Sequence, residues 1–234
     1  SKAEQNKIGE FIQKLNSLIA LQQHKLDQLN TLKKGLLQKM FADKKHPKPE
    51  LRFKGFSGDW EQRKLGDVVE ITMGQSPDGK TYSDTPSEYI LVQGNADLVN
   101  GWVKPRIWTT QITKEAHKGA IILSVRAPAG EVGRTKYDVV LGRGVAGIEG
   151  NEFIYQLLFR MSKTGYWNKY ATGSTFASLN SKDVSNAQIT VTNTQEEKQI
   201  GSLFSKIDNL VDLQQSKLDK LNSLKKSLLQ NMFI

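Results

Sequence analysis

Apolar side chains recur at alternating steps of three and four along two stretches of the chain. Between residues 4 and 41 they are Ile8, Ile12, Leu15, Ile19, Leu26, Leu29, Leu36 and Met40, widened by Phe11, Leu18 and Leu32 and interrupted by Gln22 and Lys33. Between residues 196 and 233 the same spacing is carried by Ile200, Phe204, Ile207, Val211, Leu218, Leu221, Leu228 and Met232. No proline breaks either stretch, so the period predicts two long amphipathic helices. The stretches are copies: aligned without a gap at an offset of 192, they are identical at 21 of 38 positions. Such helices are roughly 55 Å long at 1.5 Å per residue, and a single apolar stripe of that length needs a partner helix. If the segment between the copies folds as one globule, one helix runs in and the other runs out. They then pair antiparallel, with Leu26, Leu29, Leu36, Met40 and their copies at the core.

The intervening segment changes character several times. Residues 42–50 (ADKKHPKPE) have two prolines, three lysines and no apolar period, which reads as a linker. Leu51, Phe53, Phe56 and Trp60 are apolar anchors around Gly55 and Gly58, and Lys64 to Ile71 reads as a short helix or strand. The run TMGQSPDGKTYSD is polar and rich in turn residues, a surface loop of the kind that carries recognition on a rigid scaffold. From Tyr89 the pattern turns to β. A strand precedes a turn at Gly94 to Asp97, and a second follows Asn100-Gly101, a hairpin signal. Gly119 to Val125 reads as a buried strand, with others at Val132 to Thr135, Val145 to Ile148 and Ala187 to Val191. Asn151 to Thr164 has helical spacing, and Thr194 with Glu197 three residues on suggests a capping box for the second long helix. The expected fold class is α+β: a β-rich domain (45–194) between a first helix segment (1–44) and a second (195–234).

The formal net charge is +9, and residues 104–143 hold a belt of Lys104, Arg106, Lys114, Lys118, Arg126, Arg134, Lys136 and Arg143 against Glu115, Glu131 and Asp138. A basic belt on an otherwise balanced globule suits a polyanion. Cysteine is absent, which excludes disulfides and thiolate metal sites. The three histidines, at 24, 46 and 117, show no metal spacing and no nucleophile partner. GRGVAG (142–147) lacks the strand-loop-helix setting of a dinucleotide site. Apolar runs are too short to span a bilayer and no signal-peptide pattern opens the sequence. These features point to a cytoplasmic, non-catalytic chain with no metal and no cofactor.

The repeated helices around one β-rich domain, the entry PELRFKGFSGDWEQRKLGDV, the strand and turn ILSVRAPAGEVG, the segment LGRGVAGI and the exit TGSTFASLNSKDVSNAQI together resemble the specificity subunits of type I DNA restriction-modification enzymes. The likeness covers nearly the whole chain. Members of that family usually carry two target-recognition domains, each followed by a conserved helix. One such domain lies between two helices here, like the second half of a subunit with its preceding spacer helix, or a natural half-subunit. The resemblance implies a reader of double-stranded DNA that takes one half of a split target. Its helices set the spacing of the halves and dock methyltransferase (M) subunits, and through them restriction (R) subunits; a homodimer through the helices would rebuild a two-domain subunit. Methylation and cleavage then belong to partners, since no Asn/Asp-Pro-Pro-aromatic motif occurs.

Side-chain chemistry divides the expected contacts. Amides pair bidentately with adenine edges and lysine with guanine, which favours Gln75, Lys80, Tyr82, Gln93 and Asn95 as base readers. Lys104, Arg106, Arg126, Arg134, Arg143, Lys169, Ser174 and Thr175 suit phosphates, which position without specifying. Tyr82 has the alternative of packing on its own loop. On the helices, polar Gln22, Lys33, Gln214 and Lys225 are expected to face the methyltransferase. A competing reading is a coiled-coil structural adaptor, or a truncated regulatory relative, without DNA specificity of its own.

Overall fold

A computed structural model of the protein describes residues 1–170 and 178–232. Helix α1 (Lys2–Lys39) opens the chain. Twelve strands follow: β1 (Glu61–Lys64), β2 (Glu70–Met73), β3 (Tyr82–Ser83), β4 (Tyr89–Val92), β5 (Leu98–Val99), β6 (Trp102–Val103), β7 (Ile107–Thr109), β8 (Glu115–Ala116), β9 (Ile121–Ser124), β10 (Val132–Arg134), β11 (Val139–Leu141) and β12 (Val145–Glu149). After them come α2 (Glu152–Lys163), α3 (Ser181–Ser185), β13 (Gln188–Val191) and α4 (Thr194–Met232). The α+β class and the two long helices agree with expectation. The chain forms two compact units, Ser1–Gln38 with the segment from Ser202, and Lys39–Gly201. Among the described residues, no helix is long and apolar enough to cross a membrane.

In the first unit α1 and α4 are antiparallel. Gln22 meets Gln214, while Lys33, later in α1, meets Asp208, earlier in α4. Leu15, Leu26 and Leu218 are buried, whereas Leu29, Leu36, Leu221 and Leu228 are only half-buried. Met40 and Phe41 lie past the end of α1 and belong to the other unit, where Phe41 stacks on Phe153 at 5.1 Å and meets the edge of Trp60 at 6.1 Å. The periodic stripe thus serves two cores, because α1 ends two residues before the repeat does.

The second unit is built on a six-stranded sheet in the order β2-β12-β9-β10-β6-β5, a five-stranded sheet in the order β3-β7-β4-β11-β8, and the pair β1-β13. Strand β9 is buried along its whole length, as a central strand covered on both faces must be, which explains its continuous apolar run. Val92, Val103, Ala116, Ile122, Val139, Leu141 and Val145, drawn from both larger sheets, form one core cluster. Asn100 and Gly101 have φ of 51° and 76°, the left-handed pair that a tight β5-β6 hairpin requires. Helix α2 starts where the Asn151 side chain accepts from the Ile154 N–H at 2.9 Å. Asn193, one residue earlier than expected, caps α4 by accepting from the Glu196 N–H at 2.9 Å. Glu196 is fully buried and doubly paired with Arg52, at 2.6 and 2.8 Å.

Candidate nucleic-acid interface

Four loops leave the carboxyl ends of β2, β4, β9 and β11 and are tied together through their backbones. The Gly74 N–H donates to the Val145 carbonyl at 2.9 Å, and the Gln75 N–H to that of Leu141 at 2.9 Å. Gly142 N–H reaches the Val92 carbonyl at 2.7 Å, and Val125 N–H that of Gly144 at 2.9 Å. Glycine is what permits this approach. A Cβ on Gly144 would lie 2.0 Å from the Gln93 carbonyl oxygen, and one on Gly74 would lie 2.1 Å from that of Gly142. The LGRGVAG segment is therefore a close-packing device that presses Gln75, Gln93, Arg126 and Arg143 into one loop cluster. Gln75, Arg126 and Arg143 are exposed there, and Gln93 and Asn95 are half-buried.

Asp97 organises one side of the cluster. It is buried at 1% exposure, and its carboxylate accepts from the Gln93 N–H at 2.7 Å, the Gly94 N–H at 3.2 Å and the Arg106 Nε–H at 2.9 Å. The Lys104 N–H donates to the Asp97 carbonyl at 2.8 Å. Asp97 thus fixes the turn carrying Gln93 and Asn95 and brings Lys104 and Arg106 beside it. Sequence reasoning passed over Asp97; its signal was an acid closing a Gly-Asn-Ala-Asp turn. It also left Lys114 out of the site, although the Leu141 N–H donates to the Lys114 carbonyl at 2.7 Å and so ties it to the cluster.

Other expected contacts lie elsewhere. Lys80 is exposed on a short turn capped by Asp78, and Tyr82 pairs in register with Thr109, at the end of β7 away from Arg106. The Tyr82 hydroxyl donates to the Pro77 carbonyl at 3.4 Å, so it packs on its own loop. Arg134 differs from the expected phosphate contact. It pairs with Ile121 at the opposite end of β9 from Arg126, is 14% exposed, forms an ion pair with Glu152, and lies over the rings of Tyr155 (4.0 Å) and Trp102 (4.6 Å). An arginine so enclosed holds the fold together. Lys118 and Lys136 share that far end, which splits the basic belt. Lys169 is exposed above the Tyr166 ring at 3.8 Å. Ser174 and Thr175 lie outside the described residues.

On the helix pair, the polar positions expected to face outward turn inward. Gln22 is 3% exposed, and the Gln214 Nε2–H donates to its carbonyl at 2.8 Å and to its Oε1 at 2.9 Å. Lys33 and Asp208 pair at 2.6 Å, with side chains only 12% and 11% exposed; Lys225 is half-buried. These residues set register within the seam. Gln22 and Gln214 are repeat equivalents in mutual contact, so a pseudo-two-fold axis passes between them. Several apolar side chains face solvent instead: Leu18, Leu21 and Leu32, and their equivalents Leu210, Leu213 and Leu224, are between 39% and 68% exposed. A two-fold axis normal to the plane of two antiparallel helices leaves equivalent side chains on the same broad face. That face therefore carries two equivalent apolar patches.

Solved structures share this architecture. The HsdS subunit from Thermoanaerobacter tengcongensis matches with a TM-score of 0.62 at 22% identity, over 97% of this chain and 56% of that one. The type I restriction-modification system S subunit from M. genitalium matches with a TM-score of 0.64 at 16% identity, over 96% of this chain and 57% of that one. At these identities the likeness establishes the fold. The family follows from sequence: residues 57–223 match the family model for the type I restriction modification DNA specificity domain, and the chain belongs to that family. Two proteins of Methanocaldococcus jannaschii are relatives. The type I restriction enzyme MjaX specificity subunit is 28% identical over 97% of this chain and 55% of its own length. The MjaIX specificity subunit is 26% identical over 75% and 44%. The chain spans about half the length of the curated relatives it matches.

Proposed function

We propose that the chain is a non-catalytic reader of double-stranded DNA that recognises one half of a split target and docks methyltransferase subunits on its helix pair. The observation that supports this most directly is the loop cluster, where glycine contacts and Asp97 hold amide and guanidinium side chains on rigid strand ends. Gln75, Gln93 and Asn95 are the base readers in this reading. Lys104, Arg106, Lys114, Arg126 and Arg143 are the phosphate contacts around them. Half-sites one helical turn apart are about 34–36 Å from each other, a span that helices of roughly 55 Å can bridge. The two equivalent apolar patches on the helix pair are the docking surface, and they favour this reading over a bare adaptor.

Selection from a randomised duplex pool by the chain assembled with its methyltransferase tests the proposal. A good bidentate base pair contributes about 1–3 kcal/mol of discrimination. Gln75→Ala or Gln93→Ala should therefore relax the recovered motif at individual positions, while Arg126→Ala and Arg143→Ala weaken binding to every duplex alike. An unchanged motif in the Gln75→Ala/Gln93→Ala double variant, or no enrichment by the unaltered chain, would overturn the reading.

A further inference from the structure

A second basic site lies within the domain unit, beside the reading loops but built from other elements. A cleft of about 600 Å³ is lined by the linker at Ala42–Lys44, by Gln62, by Arg160 of α2, by Lys169 and by Gln188. Among the described residues that line it, three cations, Lys44, Arg160 and Lys169, face one carboxylate, Asp43.

Arg160 is the informative group. Its side chain is 19% exposed, yet among the described residues its near partners are the Ala42 carbonyl at 3.4 Å and Asp43 at 3.9 Å, the latter beyond hydrogen-bond range. The buried Nε–H meets no acceptor among the described residues. Asp43 is committed elsewhere, since its Oδ1 accepts the Lys45 and His46 N–H groups at 2.8 and 2.9 Å. A guanidinium offers five donors in a fixed fork, and burying them with so little compensation is costly unless an anion completes the set. Burial lowers the Arg160 pKa, with Asp43 only partly opposing it, as expected for a buried cation short of a counter-charge. Lys169 lies on the rings of Tyr166 and Tyr170, at 3.8 and 4.9 Å, which holds its ammonium at the cleft.

The cleft adjoins the reading loops. Lys163, one turn beyond Arg160, pairs with the Glu131 carboxylate at 3.3 Å, and the Glu131 backbone carbonyl accepts from the N–H of Ser124, the last residue of β9 before the loop that carries Arg126, at 2.8 Å. Trp167 fills the space against Gly130 in that same loop, so close that a Cβ there would lie 2.5 Å from the indole. A DNA backbone leaving Arg126 would meet this cleft next.

We propose that the cleft of Arg160, Lys44 and Lys169 is a phosphodiester clamp that grips the DNA backbone beside the recognised half-site and contributes affinity without sequence preference. The inference rests on the DNA-reading proposal above. Arg160 supplies a planar fork for two phosphate oxygens, and the two lysines flank it as point charges.

The test is a salt titration of duplex binding by the full chain, with a non-specific duplex as probe. Lys44→Ala and Lys169→Ala remove exposed side chains and leave the core intact. Each phosphate contact contributes about 0.9 to the slope of log affinity against log salt. The double variant should therefore lose nearly two from that slope and bind several-fold more weakly at moderate salt. Arg160→Lys keeps the charge but not the fork, and should weaken binding without lowering the slope. Lys118→Ala, at the far end of β9, removes the same charge and should leave the slope unchanged. A wild-type slope in the double variant would overturn the clamp alone. Loss of co-assembly with the methyltransferase, with duplex binding intact, would assign the cleft to an acidic protein surface instead. Absence of any duplex binding by the unaltered chain would overturn both the clamp and the reading on which it rests.

Discussion

Replacing Asp97 separates the two jobs assigned to it, holding the Gln93 turn and anchoring Arg106. In Asp97→Ala both jobs are lost. The Gln93 and Gly94 N–H groups, which reach the carboxylate at 2.7 and 3.2 Å, lose their acceptor, and Arg106 loses its counter-charge at 2.9 Å. Orphaning a buried donor costs about 1–3 kcal/mol, and breaking a buried pair about 3–5 kcal/mol. Arg106 is 53% exposed and can turn to water, so the lower part of that range applies, about 3 kcal/mol in all. In Asp97→Asn the remaining oxygen can stay on the backbone amides while Arg106 swings out, which limits the loss to about 1–1.5 kcal/mol. For a chain of this size each kcal/mol shifts Tm by about 2–4 °C. Thermal unfolding should therefore rank Asp97→Ala well below Asp97→Asn, with Arg106→Ala close to the asparagine variant. Arg106→Ala should weaken binding to every duplex alike, whereas Asp97→Ala, which keeps the Arg106 charge and releases Gln93, should relax the recovered motif. Equal destabilisation by Asp97→Asn and Asp97→Ala, or an Arg106→Ala variant as unstable as Asp97→Ala, would refute the division of roles.

Further consequences are open to direct measurement. Gly144→Ala sets a methyl group 2.0 Å from the Gln93 carbonyl oxygen; denaturant unfolding should show a loss of about 2–3 kcal/mol, the cost of overpacking against rigid backbone. Gln22→Leu strands the Gln214 amide and should destabilise the helix pair by about 1 kcal/mol, whereas Gln22→Leu with Gln214→Leu should recover that stability or exceed it in thermal melts. Glu197 has its pKa raised by burial, against the hydrogen bonds from Asn151 and the Thr192 backbone. The folded chain therefore holds this proton more tightly than the unfolded chain, and ionisation weakens the fold as pH rises. Glu197→Gln should melt higher than the unaltered chain at neutral pH, and the two should converge as pH falls below the ordinary glutamate range.

The long elements were legible because their signals repeat many times. Two copies of a 38-residue pattern leave little room for an alternative to paired helices, and Asn100-Gly101 and the run at Ile121 carry local geometry in their residue types. Strands β7, β8 and β11 escaped because two or three residues cannot display a period of two. They exist because neighbours complete them, as Val139 to Leu141 do between β4 and β8. The site was partly legible for the same reason. Amides on polar turns mark Gln75, Gln93 and Asn95, but charge alone cannot distinguish Arg126, exposed on a loop, from Arg134, enclosed by Glu152, Trp102 and Tyr155. Gln22 and Lys33 misled in the opposite sense. Polar residues in an apolar stripe read as outward-facing until a partner with a matching amide or carboxylate appears across the seam.

Single-molecule sequencing of adenine methylation, in cells expressing the cognate methyltransferase with and without this chain, tests the central claim most directly. The account predicts a split methylated motif that appears only with the chain and relaxes at defined positions in Gln75→Ala and Gln93→Ala. Its symmetry would report the assembly, a palindromic motif following from two copies of the chain related by a two-fold axis. Methylation that is the same with and without the chain would contradict the account and leave the helix pair as an adaptor.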